Sequence, residues 1–167
     1  MQKLLIFSHT YFKDSRTNRA LLKSLENKDI LVRNLDAIYG ATPSFDVIKE
    51  HELLKSAKEI FVQFPMFWYS SPALFKAWQD EVLTPLYMKN ALCKPVKFII
   101  TAGEKKYHFD EFDLGDIKGI ERFYLPQKQS FKMCGADAGA DIFALYNAPR
   151  EVSEQEISDY HAFLGLK

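Results

Sequence analysis

Phe61-Val62-Gln63-Phe64-Pro65-Met66-Phe67-Trp68-Tyr69-Ser70-Ser71-Pro72-Ala73-Leu74 is the stretch that decides the fold. An apolar run of strand character stops at Pro65, continues into large aromatics, and turns into a helix whose early residues include Pro72. A junction that only joins a strand to a helix is normally a short polar turn of Gly, Asn or Asp. Here it holds Met66, Phe67, Trp68 and Tyr69, which are costly to leave in water. In an open parallel sheet ligands bind beyond the carboxyl ends of strands, so an aromatic junction there suits a flat, planar ligand. Packing under a neighbouring loop or across a subunit interface accounts for the same residues equally well.

Outward from that stretch, strand-like and helix-like runs alternate. Lys3–Ser8 is predicted as a first strand, followed by a polar loop and a helical pattern with Leu21, Leu22 and Leu25 on one face. Ile30–Leu35 and Glu59–Phe64 are predicted as the second and third strands. Between them Asp46–Ala57 carries Val47, Ile48, Leu53 and Leu54 at helical spacing, with Ser44 as its cap. Pro72–Val82 reads as a helix with Leu74, Phe75, Trp78 and Val82 facing inward, and Val96–Thr101 as the fourth strand. Pro126–Cys134 is predicted as a helix that opens on its proline and stops at Gly135. Asp141–Tyr146 is the fifth strand, and Ser153–Leu164 a closing helix with a Ser153–Glu156 capping box. Five strands alternating with helices imply parallel pairing through right-handed crossovers: an α/β, doubly wound five-stranded sheet with helices on both faces. The first and third strands are the most apolar and belong at its centre. No repeat, low-complexity tract or linker interrupts the pattern, so one domain over residues 1–167 is expected.

Composition narrows the function. The chain has 22 basic and 22 acidic residues and a formal net charge of zero, against the surplus of positive charge that a nucleic-acid partner requires. Aromatic residues make up 14%, which fits a planar-ligand pocket or a dimer interface. Cys93 and Cys134 are isolated, without metal-ligand spacing, and read as buried or incidental thiols. A strand begins within three residues of Met1, and no apolar run is long enough to span a bilayer, so a soluble cytoplasmic protein without membrane insertion is expected.

In a sheet of this kind the loops after strands one, three and four converge at the switch point. In the first, Ser15, Thr17 and Asn18 stand where a helix's free N–H groups point, a good place for a phosphate, and Arg16 and His9 add charge. An ordinary capped helix start would look the same. In the third, Thr101-Ala102-Gly103-Glu104 is small at its centre, which lets backbone approach a ligand closely, and Lys105, Lys106, Tyr107 and His108 follow.

These residues resemble the flavodoxin-like NAD(P)H:quinone oxidoreductases, in the group of short bacterial members that includes the potassium-efflux ancillary reductases and drug-activity modulators. His9, Ser15 and Asn18 are similar to that family's phosphate loop. Pro65-Met66-Phe67-Trp68-Tyr69-Ser70, then Pro72-Ala73-Leu74 with Lys76, Trp78, Asp80 and Val82, resembles its proline-to-tryptophan loop and the helix after it. Thr101-Ala102-Gly103 with His108-Phe109 resembles its loop over the flavin ring. The resemblance implies a flavin, FMN ahead of FAD, with its phosphate on Ser15–Asn18. The ring then lies against the backbone of Pro65 to Tyr69 and of Thr101 to Glu104, with Trp68 beside it. It further implies two-electron, ping-pong transfer from NAD(P)H to a quinone, with Tyr107 and His108 as candidates for hydrogen bonding to developing charge or to the quinone oxygen. A homodimer is implied too, with Phe67, Tyr69 and Tyr87 near the partner chain.

The chain departs from that family at Glu104, where a second glycine is usual, at Phe67, where a polar residue is common, and in a shorter, glycine-free stretch over Leu83–Asn90. A regulatory protein that docks on a partner such as a transport protein therefore stands beside the enzyme. A one-electron carrier fits less well, since such carriers are strongly acidic.

Overall fold

The computed structural model describes residues 2–40, 44–111 and 119–166. Its strands are β1 (Lys3–Phe7), β2 (Ile30–Asn34), β3 (Glu59–Pro65), β4 (Val96–Thr101) and β5 (Ile142–Leu145). They form one all-parallel sheet in the order β2-β1-β3-β4-β5, with Phe7 level with Gln63 and Pro65 level with Thr101. The chain leaves β1 toward one edge and then crosses back to β3. The crevice beyond the carboxyl ends of β1 and β3 is therefore the switch point.

Side chains alternate across the central strands. Leu4, Ile6, Ile60, Val62, Phe64, Phe98 and Ile100 face one layer, which holds α2 (Leu35–Tyr39), α3 (Val47–Ser56), α4 (Ala73–Trp78) and α6 (Glu121–Met133). Leu5, Phe61 and Ile99 face the other, against Leu21 of α1 (Arg16–Lys23) and Tyr160 of α7 (Glu154–Phe163). The short α5 (Lys106–Asp110) follows the loop after β4. In the first layer Phe64, Phe75 and Trp78 stack in turn, with ring centroids 5.3 and 5.8 Å apart. The buried Glu50 carboxylate accepts hydrogen bonds there from Arg33, Tyr39 and the Trp78 indole.

The sheet and the Ser153–Glu156 capping box are as the sequence implies. Three local expectations need correction. Asp46, not Ser44, caps α3, accepting from the Lys49 N–H at 3.0 Å. The helix after the aromatic junction is regular only to Trp78. It then widens into a π turn, Gln79–Leu83, where His51 Nε2 donates to the Val82 carbonyl at 2.8 Å, and tightens into a 3₁₀ turn at Thr84–Leu86. Finally, α6 starts at Glu121, which puts Pro126 inside it. Burial of Tyr124 against Phe98 (5.0 Å between centroids) rewards the additional turns and offsets the poor fit of an interior proline. The stop at Gly135 is as expected: its φ is +89°, and a Cβ there would fall 2.5 Å from the Asn90 Cα.

Candidate functional site

Four loops meet over the switch point. Ser15 caps α1, its Oγ accepting from the Asn18 N–H at 3.2 Å. One cleft of about 240 Å³ is lined by Tyr11, Asp14, Ser15 and Asn18, by His9, Pro65, Met66 and Phe67, and by Thr101 and Gly103. Ala148 and Pro149 close its far side. A second cleft, also about 240 Å³, shares Met66 and Gly103 as walls and is completed by Trp68, Tyr69, Ala102, Glu104 and Phe109. One part of this surface is thus a helix start with hydroxyls, and the other is aromatic with the Glu104 carboxylate beside it.

The aromatic end is built on strain. Phe67 and Ser70 exchange two backbone hydrogen bonds (2.9 and 3.0 Å), so Trp68 and Tyr69 are the central pair of a tight turn. Both are left-handed, with φ of 48° and 59°, a conformation such turns normally give to Asn and Gly. Tyr69 is held by Phe109 and Phe123 (ring centroids 6.3 and 5.0 Å), whereas Trp68 is 95% exposed. Trp68→Asn is expected to relieve strain and raise stability by about 1 kcal/mol, a Tm increase of about 2–4 °C by calorimetry, at the cost of whatever the indole contacts.

The polar end is fixed in detail. Asp36 accepts from the Ser8 hydroxyl and the His9 N–H, both at 2.7 Å, which sets the course of the loop after β1. His9 Nδ1 accepts from the Tyr11 N–H at 3.1 Å, so the neutral ring carries its proton on Nε2. Burial lowers the His9 pKa, with Asp36 opposing more weakly. His9 is thus a neutral donor in the cleft wall at pH 7.

The wall at Ala148 is tied down from two sides. Its N–H donates to the Ala102 carbonyl at 2.9 Å, while the Thr17 hydroxyl donates to the Arg150 carbonyl at 2.8 Å and accepts from the Arg150 N–H at 2.9 Å. Arg150 in turn forks onto Glu156 (2.9 and 2.5 Å). That hydrogen bond, helped by Ser153, holds the Glu156 carboxyl down at about 2, below its ordinary 4.5. A carboxylate with a depressed folded-state pKa stabilises the fold above its ordinary value and loses that contribution as pH falls through the folded one. The Arg150 clamp is therefore expected to weaken between pH 4.5 and 2, seen as a Tm that falls across this window in wild type and less steeply in Glu156→Gln.

A family match settles what this architecture is: residues 1–164 match the family described as having a flavodoxin-like fold. The chain belongs to that family. Its relatives include the uncharacterized NAD(P)H oxidoreductase YrkL of Bacillus subtilis (strain 168), 46% identical over 87 residues, which is 50% of this chain and 48% of that protein. The glutathione-regulated potassium-efflux system ancillary protein KefF of Enterobacter sp. (strain 638) is 33% identical over 140 residues, 79% of this chain and 76% of KefF. The match thus spans about half of YrkL and three-quarters of KefF. Among solved structures, general stress protein 14 of Treponema denticola in complex with FMN superposes with a TM-score of 0.83, covering 99% of this chain and 98% of that one at 24% identity.

In this flavodoxin-like chain most of the residues singled out in the sequence come together: His9, Ser15, Asn18, Pro65, Met66, Phe67, Thr101 and Gly103 line the first cleft, and Trp68, Tyr69, Ala102 and Glu104 the second. Others are placed differently. The Thr17 hydroxyl is spent on Arg150, and the Asn18 amide is spent on Ser15, Gln63 and Thr101. Arg16 lines a neighbouring groove with Arg19 and Lys23. Met66 and Phe67 have their N–H groups bonded to Thr101 and Ser70, whereas those of Trp68, Gly103 and Glu104 have no partner among the described residues. Tyr107 and His108 line neither cleft, and His108 Nδ1 lies 2.6 Å from Glu104 Oε2. Sequence reading missed Ala148 and Pro149, whose loop after β5 carries only a proline as a signal.

Among the described residues, no group of ligating side chains could hold a metal ion, and no helix is long and apolar enough to cross a membrane.

Proposed function

We propose that the chain is a flavin-dependent NAD(P)H:quinone oxidoreductase using FMN. The observation that carries this reading is the joint placement of a phosphate-competent helix start and a cleft walled by Trp68, Tyr69 and Phe109, the two sharing Met66 and Gly103. The residues present fit the group. A Cβ at Gly103 would approach the Ala148 carbonyl to 3.3 Å, so glycine lets the loops after β4 and β5 come close together as walls of the first cleft. Ser15, His9 Nε2 and the first N–H groups of α1 offer donors at the other end, where an anion also meets the positive end of the helix dipole. The FMN in the Treponema denticola structure and the oxidoreductase name of YrkL support the same reading.

A bound flavin supplies the two-electron chemistry, by which NAD(P)H, a proton and a quinone give NAD(P)⁺ and a hydroquinone. The chain's own part is to position and to hold charge. Trp68 and Tyr69 would border the ring, and the N–H groups of Trp68, Gly103 and Glu104 would supply dipoles for negative charge held there. With His108 Nδ1 2.6 Å from the Glu104 carboxylate, Nε2 is the ring atom that would take up a proton and then give it to a quinone oxygen. The same bond draws the Glu104 carboxylate into a pair. Tyr107, half exposed beside His108, is the second side chain proposed for the acceptor. We further propose a cytoplasmic homodimer that uses the exposed Tyr87 and Met88.

Steady-state oxidation of NADPH by FMN-loaded protein, with a soluble quinone varied, tests the proposal. Quinone-dependent turnover with parallel double-reciprocal plots is expected. Absence of NAD(P)H oxidation by the loaded protein would overturn the enzyme and leave the second reading, an ancillary protein that docks on a transport protein. The likeness to KefF is what favours that alternative.

A further inference from the structure

A chain of buried hydrogen bonds runs from the core of the α1/α7 layer to the polar end of the clefts. The Tyr160 hydroxyl donates to Gln63 Oε1 at 2.6 Å, and Gln63 Nε2 donates to Asn18 Oδ1 at 3.0 Å. Asn18 Nδ2 donates to Thr101 Oγ1 at 2.8 Å and to Ser15 Oγ at 3.3 Å. Tyr160 and Gln63 are both fully buried, on α7 and at the centre of β3, and neither lines a cleft.

The direction of this chain has a consequence at its far end. Ser15 Oγ accepts from both the N–H and the amide of Asn18, which fills its two lone pairs and leaves only its hydrogen to offer. Thr101 likewise accepts from Asn18 and keeps its own hydrogen. Both residues line the first cleft. Turning both amides over would reverse every link: Asn18 would present its oxygen, and the two hydroxyls would donate inward, away from the cleft. Tyr160 opposes that reversal. With Gln63 turned, its phenol hydrogen would be left without an acceptor in an apolar layer beside Phe143. Burial also raises the phenol's pKa, so it stays protonated and remains a donor.

We infer that Tyr160 and Gln63 are positioning residues that set the polarity of the Ser15 and Thr101 hydroxyls and so prepare the cleft for an anionic phosphate. The inference rests on the flavin reading proposed above. Hydrogen bonds in such a chain polarise one another, so a donor fixed at one end strengthens donation at the other.

The test compares FMN with riboflavin, which lacks the phosphate, by quenching of flavin fluorescence. Wild type is expected to favour FMN. Tyr160→Phe, which keeps the ring and removes the directing hydrogen, is expected to weaken FMN binding about tenfold while leaving riboflavin unchanged. Gln63→Met breaks the chain at its middle and is expected to lower the same ratio. An unchanged FMN-to-riboflavin ratio in both variants would overturn the inference and leave the flavin reading standing. Equal loss of both ligands would assign the two residues to packing alone and overturn it as well. A wild type that binds neither flavin would remove the reading and the inference together.

Discussion

Glu50→Ala is expected to destabilise the fold by about 3–5 kcal/mol, the range for removing one partner of a buried ion pair. The Glu50 side chain is almost fully enclosed, and it accepts from Arg33 Nε and Nη2 (2.8 and 2.6 Å), from the Tyr39 hydroxyl (2.7 Å) and from Trp78 Nε1 (3.1 Å). Alanine strands all three partners at once. The guanidinium loses its counter-charge, and the indole N–H, inside the Phe64–Phe75–Trp78 stack, cannot turn to water. Since α2, α3 and α4 all meet this carboxylate, the loss should appear as a lower midpoint for the whole transition. At about 2–4 °C per kcal/mol for a chain of this size, a Tm drop of roughly 6–20 °C is expected by calorimetry. Glu50→Gln keeps an acceptor and should fall between the two. A drop of only a degree or two in Glu50→Ala would mean that water reaches Arg33 and replaces the carboxylate.

Ser15→Ala is expected to weaken FMN binding by about 10- to 100-fold, the scale of one hydrogen bond to a charged group. Ser15 caps α1 and, with its lone pairs filled by Asn18, has its hydrogen left for a ligand. Losing the cap also costs about 1 kcal/mol of stability. The two effects separate by titration: riboflavin affinity should change little, and Ser15→Thr should restore much of both. Equal FMN affinity in wild type and Ser15→Ala would show that the phosphate is held elsewhere.

The sheet was legible because period and composition agree. Val96–Thr101 is a strand to the residue, and the near-continuous apolar runs at Lys3–Phe7 and Glu59–Pro65 mark the two interior strands either side of the switch point. The aromatic junction was legible as a cleft wall because no local turn chemistry explains Trp68 and Tyr69. What escaped notice depends on distant partners. Thr17 looks like a phosphate donor until Arg150, 133 residues away, takes both sides of its hydroxyl. Asn18 reads as a ligand and is instead spent inward on Thr101 and Gln63. Gln63 itself is the overlooked signal, a single amide in the apolar run Phe61–Phe64 and therefore a buried polar group in need of partners. The early start of α6 was hidden because Pro126 is a good first-turn residue, and only the packing of Tyr124 on Phe98 reveals that the helix has already begun.

The most direct test of the flavin reading is the visible absorption spectrum of the purified protein after incubation with FMN and removal of free flavin, followed by NADPH without air. Flavin absorbance that stays with the protein and bleaches when NADPH is added is the result expected. Flavin that washes away from the folded protein, or that is retained and does not bleach, would contradict it.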